Sequence, residues 1–173
     1  PHKNIMGQTS IDDINQSIES ANVDALIGAD VLHKISFSIS LSNKLLELNP
    51  VINNNEYDSF PLSNFMGIPI IFAIINGKEI KFFFDTGAKI SYLNSNFVQA
   101  QNIIKVEQDF YPGFGDFETN IYQLPLELFN QIKKFEFGVL PESLELSLSM
   151  GGTHGIIGNN ILINFDLVID NLQ

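Results

Sequence analysis

The sequence predicts an all-β fold, a barrel-like lobe with only short helices. Short apolar runs separated by turn residues recur along most of the chain. The pair Asn76-Gly77 stands between two such runs, the strongest two-residue hairpin signal a sequence carries. A glycine-centred apolar motif also occurs twice, each residue of the second copy lying 130 positions after its counterpart.

In chain order, Ser10 with Asp13 three residues later resembles a capping box and predicts a short helix over residues 11–20. Residues 25–27 read as a short buried strand and 29–34 as a brief helix. Residues 37–41 and 44–48 form a hairpin about Ser42-Asn43. Residues 49–59, with Pro50 and three consecutive asparagines from Asn53, are the best linker. Residues 68–75 and 78–84 flank Asn76-Gly77, and 94–101 suit a helical turn or two. Residues 103–108, 118–123, 134–139 and 144–148 read as further strands. Residues 155–158, a short helix and a strand over 166–169 close the chain.

The repeat sets Ala25-Leu26-Ile27-Gly28-Ala29-Asp30-Val31-Leu32 against Gly155-Ile156-Ile157-Gly158-Asn159-Asn160-Ile161-Leu162. Each copy is an apolar pair, a glycine, two small or polar residues and a second apolar pair. The same offset places Phe37-Ser38-Ile39-Ser40 on Leu167-Val168-Ile169-Asp170, both strand-like. A duplicated lobe follows from this, with 1–48 the closing part of a first lobe, 49–59 a linker and 60–173 a complete second lobe.

Composition narrows the function. Across 173 residues, 45% are hydrophobic and 17% charged, which supports a packed core. A net charge of −11 with nine Lys and Arg argues against nucleic acid and against an anionic membrane surface. No apolar run reaches the roughly 18–20 residues a membrane-spanning helix needs. With no cysteine, disulfides, thiolate catalysis and Cys-based metal sites are excluded. His2, His33 and His154 are scattered without metal-ligand spacing, so neither a metal nor another cofactor is expected. The start, Pro1-His2-Lys3-Asn4, reads as a cut or processed end, and composition leaves the compartment undetermined.

The chemistry-bearing segment is Phe82-Phe83-Phe84-Asp85-Thr86-Gly87-Ala88. A carboxylate placed directly after an apolar run costs several kcal/mol to bury, of order, unless it is hydrogen-bonded or shares a proton. Gly87 lets the backbone turn and brings amides close to it, and the Thr86 hydroxyl can brace the loop. The alternative is an ordinary Asp-Thr-Gly turn after a strand. About 70 residues on comes Gly155-Ile156-Ile157-Gly158, and between them lies Asp109-Phe110-Tyr111-Pro112-Gly113-Phe114-Gly115-Asp116-Phe117, glycines interleaved with aromatics.

Together these resemble the aspartic peptidases of the retropepsin and pepsin superfamily, over roughly residues 68–170. The resemblance implies an aspartic-peptidase-like lobe in which Asp85 is the catalytic carboxylate and Thr86, Gly87 and Ala88 form its loop. It implies a flap over the substrate carrying Tyr111, Gly113, Phe114, Gly115 and Phe117; the alternative is a plain surface hairpin. Ile156, Ile157 and Gly158 would support the active loop. Such chemistry needs two aspartates sharing a proton, one acting as base on a water that attacks the peptide carbonyl. Only one Asp-Thr-Gly exists here. The implied partners are a peptide or protein substrate and a second aspartate, supplied by first-lobe polypeptide upstream or by an identical subunit. A catalytically silent module that binds peptides, or a purely structural β domain, are the other readings.

Overall fold

The computed structural model describes residues 11–17, 22–53, 56, 58–111 and 114–171. The protein is mostly β-sheet with a few short helices. In order come α1 (Ile11–Ser17), α2 (Ala29–Leu32), β1 (Phe37–Ser40), β2 (Leu45–Leu48), β3 (Ser63–Phe65), β4 (Ile68–Ile75), β5 (Lys78–Phe84) and β6 (Tyr92–Leu93). A 3-10 turn (Ser95–Phe97) leads to β7 (Ile103–Tyr111), β8 (Gly115–Leu128), β9 (Gln131–Phe137), α3 (Glu142–Met150), β10 (Gly155–Ile157), α4 (Asn159–Leu162) and β11 (Asp166–Ile169).

The hairpin β4–β5 pairs Ile75 with Lys78, leaving a two-residue turn. Asn76 and Gly77 both have positive φ, 52° and 76°, the backbone that the right-handed twist of flanking strands selects. Burial explains why β5 ends in a continuous apolar run rather than an alternating one. Phe82 and Phe84 enter a core with Leu124, Leu126, Phe137, Ile157 and Ile161. Phe83 faces a second core with Ile70, Ile90, Tyr92, Ile121, Leu148 and Ile156. Both faces of the strand are covered, as continuous apolar strands require.

The main sheet runs β6-β10-β5-β4-β8-β7, with β3 on β4 and β9 on β8. Strand β10 is parallel to β5 and antiparallel to β6, so it lies between two strands that are consecutive in the chain. The segment joining β5 to β6 must therefore cross the end of β10. A separate three-stranded sheet runs β11-β1-β2. There Phe37 pairs with Ile169, Ser38 with Val168 and Ile39 with Leu167. Ser38 thus faces its own counterpart in the repeat, and exchanging the two copies leaves the pairing pattern unchanged.

The helical parts of the repeat also agree. In the first copy Val31 and Leu32 amides bond Gly28 O, His33 bonds Ala29 O, Lys34 bonds Val31 O and Ile35 bonds Leu32 O. In the second, Ile161, Leu162, Ile163, Asn164 and Phe165 make the same five bonds to Gly158, Asn159, Ile161 and Leu162.

Two expectations are corrected. Residues 25–27 are not a buried strand: they pair with no strand among the described residues, and Leu26 and Ile27 are 70% and 58% exposed. An apolar tripeptide becomes a strand only where another backbone offers its hydrogen bonds, as β5 and β6 do for β10. Residues 144–148 lie in helix α3 rather than a strand. The alternation of Leu144, Leu146 and Leu148 suggested a period of two. Pro141 at the N-cap, with Glu142 and Glu145 in the first turn, starts a helix instead. The predicted helix over 11–20 is seen as Ile11–Ser17; Ser10 and residues 18–20 lie outside the described residues.

The helical geometry of α3 makes a discriminating prediction. Leu148 is buried and Leu146 is 68% exposed, whereas a strand would place both on one face. Leu148→Ala should cost about 2–3 kcal/mol and Leu146→Ala less than about 0.5 kcal/mol, read by urea denaturation. Equal losses at both positions would contradict the helix.

Candidate active site

The loop from Asp85 to Ser91 crosses β10 and is fastened to its far end. Asp85 N–H donates to Ile157 O at 3.0 Å, continuing the β5–β10 ladder by one bond. The Gly87 amide donates to Asp85 Oδ1 at 2.8 Å, so the carboxylate is held by its own loop while remaining half-exposed. The Ala88 carbonyl accepts from Asn159 N–H at 2.9 Å, and the Thr86 carbonyl accepts from Asn159 Nδ2 at 3.0 Å. Ser91 Oγ accepts from Gly158 N–H at 2.8 Å and donates to Asn160 Oδ1 at 2.6 Å. Asn160 Nδ2 in turn reaches Glu136 O on β9 at 2.8 Å.

Gly158 is the pivot of this crossing. A Cβ there would lie 2.7 Å from Ala88 O and 2.8 Å from Ile90 O, both backbone atoms. Ile156 and Ile157 stand immediately before it, each buried in a different core. The Thr86 hydroxyl makes no hydrogen bond among the described residues; its carbonyl is the braced atom. The bracing side chains are Ser91, Asn159 and Asn160, which sequence reading passed over. Asn159 and Asn160 follow Gly158 directly in a segment otherwise apolar, the one local hint of groups that satisfy buried backbone; Ser91 carries no such hint.

The aromatic-glycine segment is a hairpin closing β7 and β8, with Tyr111 opposite Gly115. Gly113 lies outside the described residues, as does Pro112. Gly115 has φ of +97°. Phe114 and Phe117 meet edge-to-face at 5.9 Å, and Phe117 lies against Tyr92 at 6.1 Å. Phe117 and Ala88 pack against the same core, which brings the hairpin and the Asp85 loop to one side of the sheet. Tyr111 is half-buried, and its phenol is pushed up first by burial and then by the negative charge of Asp85. The hydroxyl thus lies within the field of the carboxylate.

At the base of the hairpin the Tyr92 hydroxyl donates to Asp109 Oδ2, while Asp109 Oδ1 accepts from the Phe110 amide at 2.9 Å. Burial, this hydrogen bond and the charge of Asp109 hold the Tyr92 phenol far above its usual range. The bond ties the hairpin to β6, the strand into which the Asp85 loop feeds. A cavity of about 720 Å³, walled in part by Phe60, Phe129 and Phe165, lies elsewhere and does not include Asp85. Its lining has none of the loop, hairpin or bracing residues.

Two outcomes follow from this geometry. Gly158→Ala should destabilise by more than about 2 kcal/mol, since only backbone can yield to the added methyl; thermal unfolding reads it. The raised phenol means Tyr92 keeps its proton in the folded state after the unfolded chain, near 10.0, has lost it. Its contribution is complete below that value and is lost as pH rises beyond it. Tyr92→Phe should therefore flatten the fall in stability above pH 10, measured by guanidinium denaturation at a series of pH values. An unchanged alkaline slope would contradict the assignment.

The chain is similar to the protease of a simian foamy virus (mac), whose solution structure is known. The two are 18% identical, the match covers 54% of this chain and 90% of that one, and the TM-score is 0.38. No protein-family model and no curated protein matches.

Proposed function

We propose that this chain is the catalytic-loop-bearing part of an aspartic endopeptidase, with Asp85 one of two carboxylates that activate a water. The observation that carries the reading is the placement of Asp85. It stands where a loop crosses an inserted strand, half-exposed, held by the Gly87 amide and facing an aromatic hairpin. A carboxylate retained beside two apolar cores without a cationic partner among the described residues suits a group kept for chemistry rather than for stability. In this reading Thr86, Gly87 and Ala88 shape the loop. Tyr111, Phe114 and Phe117, with Gly113 and Gly115 as turn residues, form a flap over the bound peptide. Ile156, Ile157 and Gly158 hold the loop from beneath.

The reaction is peptide hydrolysis. With a second aspartate beside Asp85, one carboxylate takes a proton from water as it attacks the scissile carbonyl. The other donates a hydrogen bond to that carbonyl, and a proton then passes to the leaving amine. The second carboxylate comes from polypeptide outside residues 1–173. The pairing of β1 with β11 supports this over an identical subunit, because β1 already lies along the β11 edge that a symmetric partner would use. On this reading residues 1–48 are the closing part of the first lobe, 49–59 the linker and 60–173 the second lobe.

In the assembled two-lobe protein, Asp85→Asn should lower kcat for a quenched-fluorescence peptide by about 10²- to 10⁴-fold. The amide keeps the shape of the carboxylate but cannot act as a base, so Tm should be unchanged. Undiminished cleavage by the Asn variant would overturn the reading. Peptide binding without any cleavage by the unsubstituted protein would instead identify a silent binding module.

A further inference from the structure

The outer part of the β7–β8 hairpin is attached to the rest of the molecule at few points. Thr119 marks where the firm attachment ends: its hydroxyl accepts from the Val139 amide and donates to the Val139 carbonyl, each at 2.8 Å. Thr119 stands opposite Glu107, and from there to the closing pair Tyr111–Gly115 the two strands pair only with each other. Strand β7 contributes no residue to either core. Beyond Thr119, the hydrogen bonds and ion pairs that leave the hairpin end on two residues among those described, Lys89 and Tyr92. Both lie on the arm that runs from Asp85 into β6.

The two contacts differ in strength. Lys89 and Glu107 meet at 3.7 Å with side chains 70% and 30% exposed, and a pair so solvated contributes little. Tyr92 is buried, and its hydroxyl donates to the Asp109 carboxylate, a charge-assisted bond in partly buried surroundings. The tyrosine is also a fixed post. The Gly138 amide donates to Ser91 O at 2.9 Å and its carbonyl accepts from the Leu93 amide at 3.0 Å, so both neighbours of Tyr92 are anchored to one residue. A Cβ on Gly138 would lie 2.8 Å from Tyr92 Cε1, so the glycine makes room for the ring. Packing against Phe117 needs only that ring, and the chain uses phenylalanine fifteen times against tyrosine four. The hydroxyl therefore has a purpose apart from packing, and its bond to the hairpin supplies one.

We infer that Tyr92 is a positioning residue for the hairpin: its hydroxyl, through Asp109, holds the hairpin closed over the Asp85 loop. Lifting the hairpin breaks this bond, so the bond favours the closed state over the open one. Removing the hydroxyl alone leaves the Asp109 carboxylate against a phenyl ring, which penalises closure further. Removing both partners takes that penalty away. Asparagine at 109 keeps an oxygen that accepts from the phenol. The inference rests on the peptidase reading only in taking a substrate peptide to be what the closed hairpin covers.

The sequence has no cysteine, so two nitroxide labels can be attached without background, at Asp116→Cys in this hairpin and Glu79→Cys in β5, both exposed positions. Pulsed electron spin resonance on the 173-residue chain then reads the closed and open distances. Tyr92→Phe should raise the open-to-closed ratio by about tenfold or more, the worth of a hydrogen bond to a charged group. Asp109→Leu should raise it too. Asp109→Asn should leave it within about threefold, and the double variant Tyr92→Phe/Asp109→Leu should return it to that range. An unchanged ratio in both single apolar variants, or a rise that the double variant does not reverse, would overturn the inference. If Tyr92→Phe does not fold, the contrast between Asp109→Leu and Asp109→Asn decides from the hairpin side. The measurement reads distances rather than cleavage, so its failure is distinct from a failure of the Asp85 assignment.

Discussion

The structure depends on the insertion of β10 between β5 and β6. Because two chain-consecutive strands are held apart by a third, the segment between them cannot be a tight hairpin and must arch over the end of the intruder. That arch carries Asp85. Its closeness to β10 permits no side chain at Gly158 and leaves backbone groups of the loop facing inward, where each needs a partner. Asn159 meets that need at the Thr86 carbonyl and Asn160 at the Ser91 amide, while the Ser91 hydroxyl in turn accepts from the Gly158 amide. The position of the carboxylate is thus fixed by backbone geometry and by three small polar side chains, with no ion pair to it among the described residues.

This arrangement separates rigidity from reactivity. Asp85 is presented by a loop that Asn159, Asn160 and Ser91 hold through hydrogen bonds, while the carboxylate accepts one amide and keeps its other oxygen free of protein donors among the described residues. The opposing hairpin is tied at its base by Tyr92 and Asp109, and its aromatic side chains Phe114 and Phe117 pack on one another toward the turn. Around this the partly exposed pair Lys105–Glu136 links β7 to β9, and Lys105 also pairs with Glu107 within β7. Ion pairs of that kind contribute little individually. The two cores and the loop bonds, rather than surface charge, hold the site together.

Much of this was legible in the sequence, for reasons that differ between residues. Asn76-Gly77 declared its hairpin because the required backbone is one that few residue pairs tolerate. Phe82 to Asp85 stood out because an acidic residue after an apolar run is costly without a structural cause. The bracing network was not legible, since Ser91 and Asn160 are 69 positions apart and neither belongs to a periodic pattern. Helix α3 was misread because its leucines alternate, yet only Leu148 reaches the core and Leu144 is half-buried beside it. Those two are four residues apart, and the exposed Leu146 between them supplied a false period.

The two copies of the repeat show which information is local. From Gly28 and Gly158 onward, five backbone hydrogen bonds recur one for one although Asp30 and Val31 stand where the second copy has Asn160 and Ile161. Each of these bonds spans only three or four residues, so the turn forms wherever its own few residues favour it, whatever surrounds them. The tripeptides ahead of the two glycines are both apolar, yet one is a strand paired on both edges and the other is exposed coil. Strand character there belongs to the pair of neighbouring backbones and not to the tripeptide, because a strand's hydrogen bonds are all made outside itself. The exposed copy has its local half complete and its non-local half unmade. Its apolar side chains find no covering backbone among the described residues.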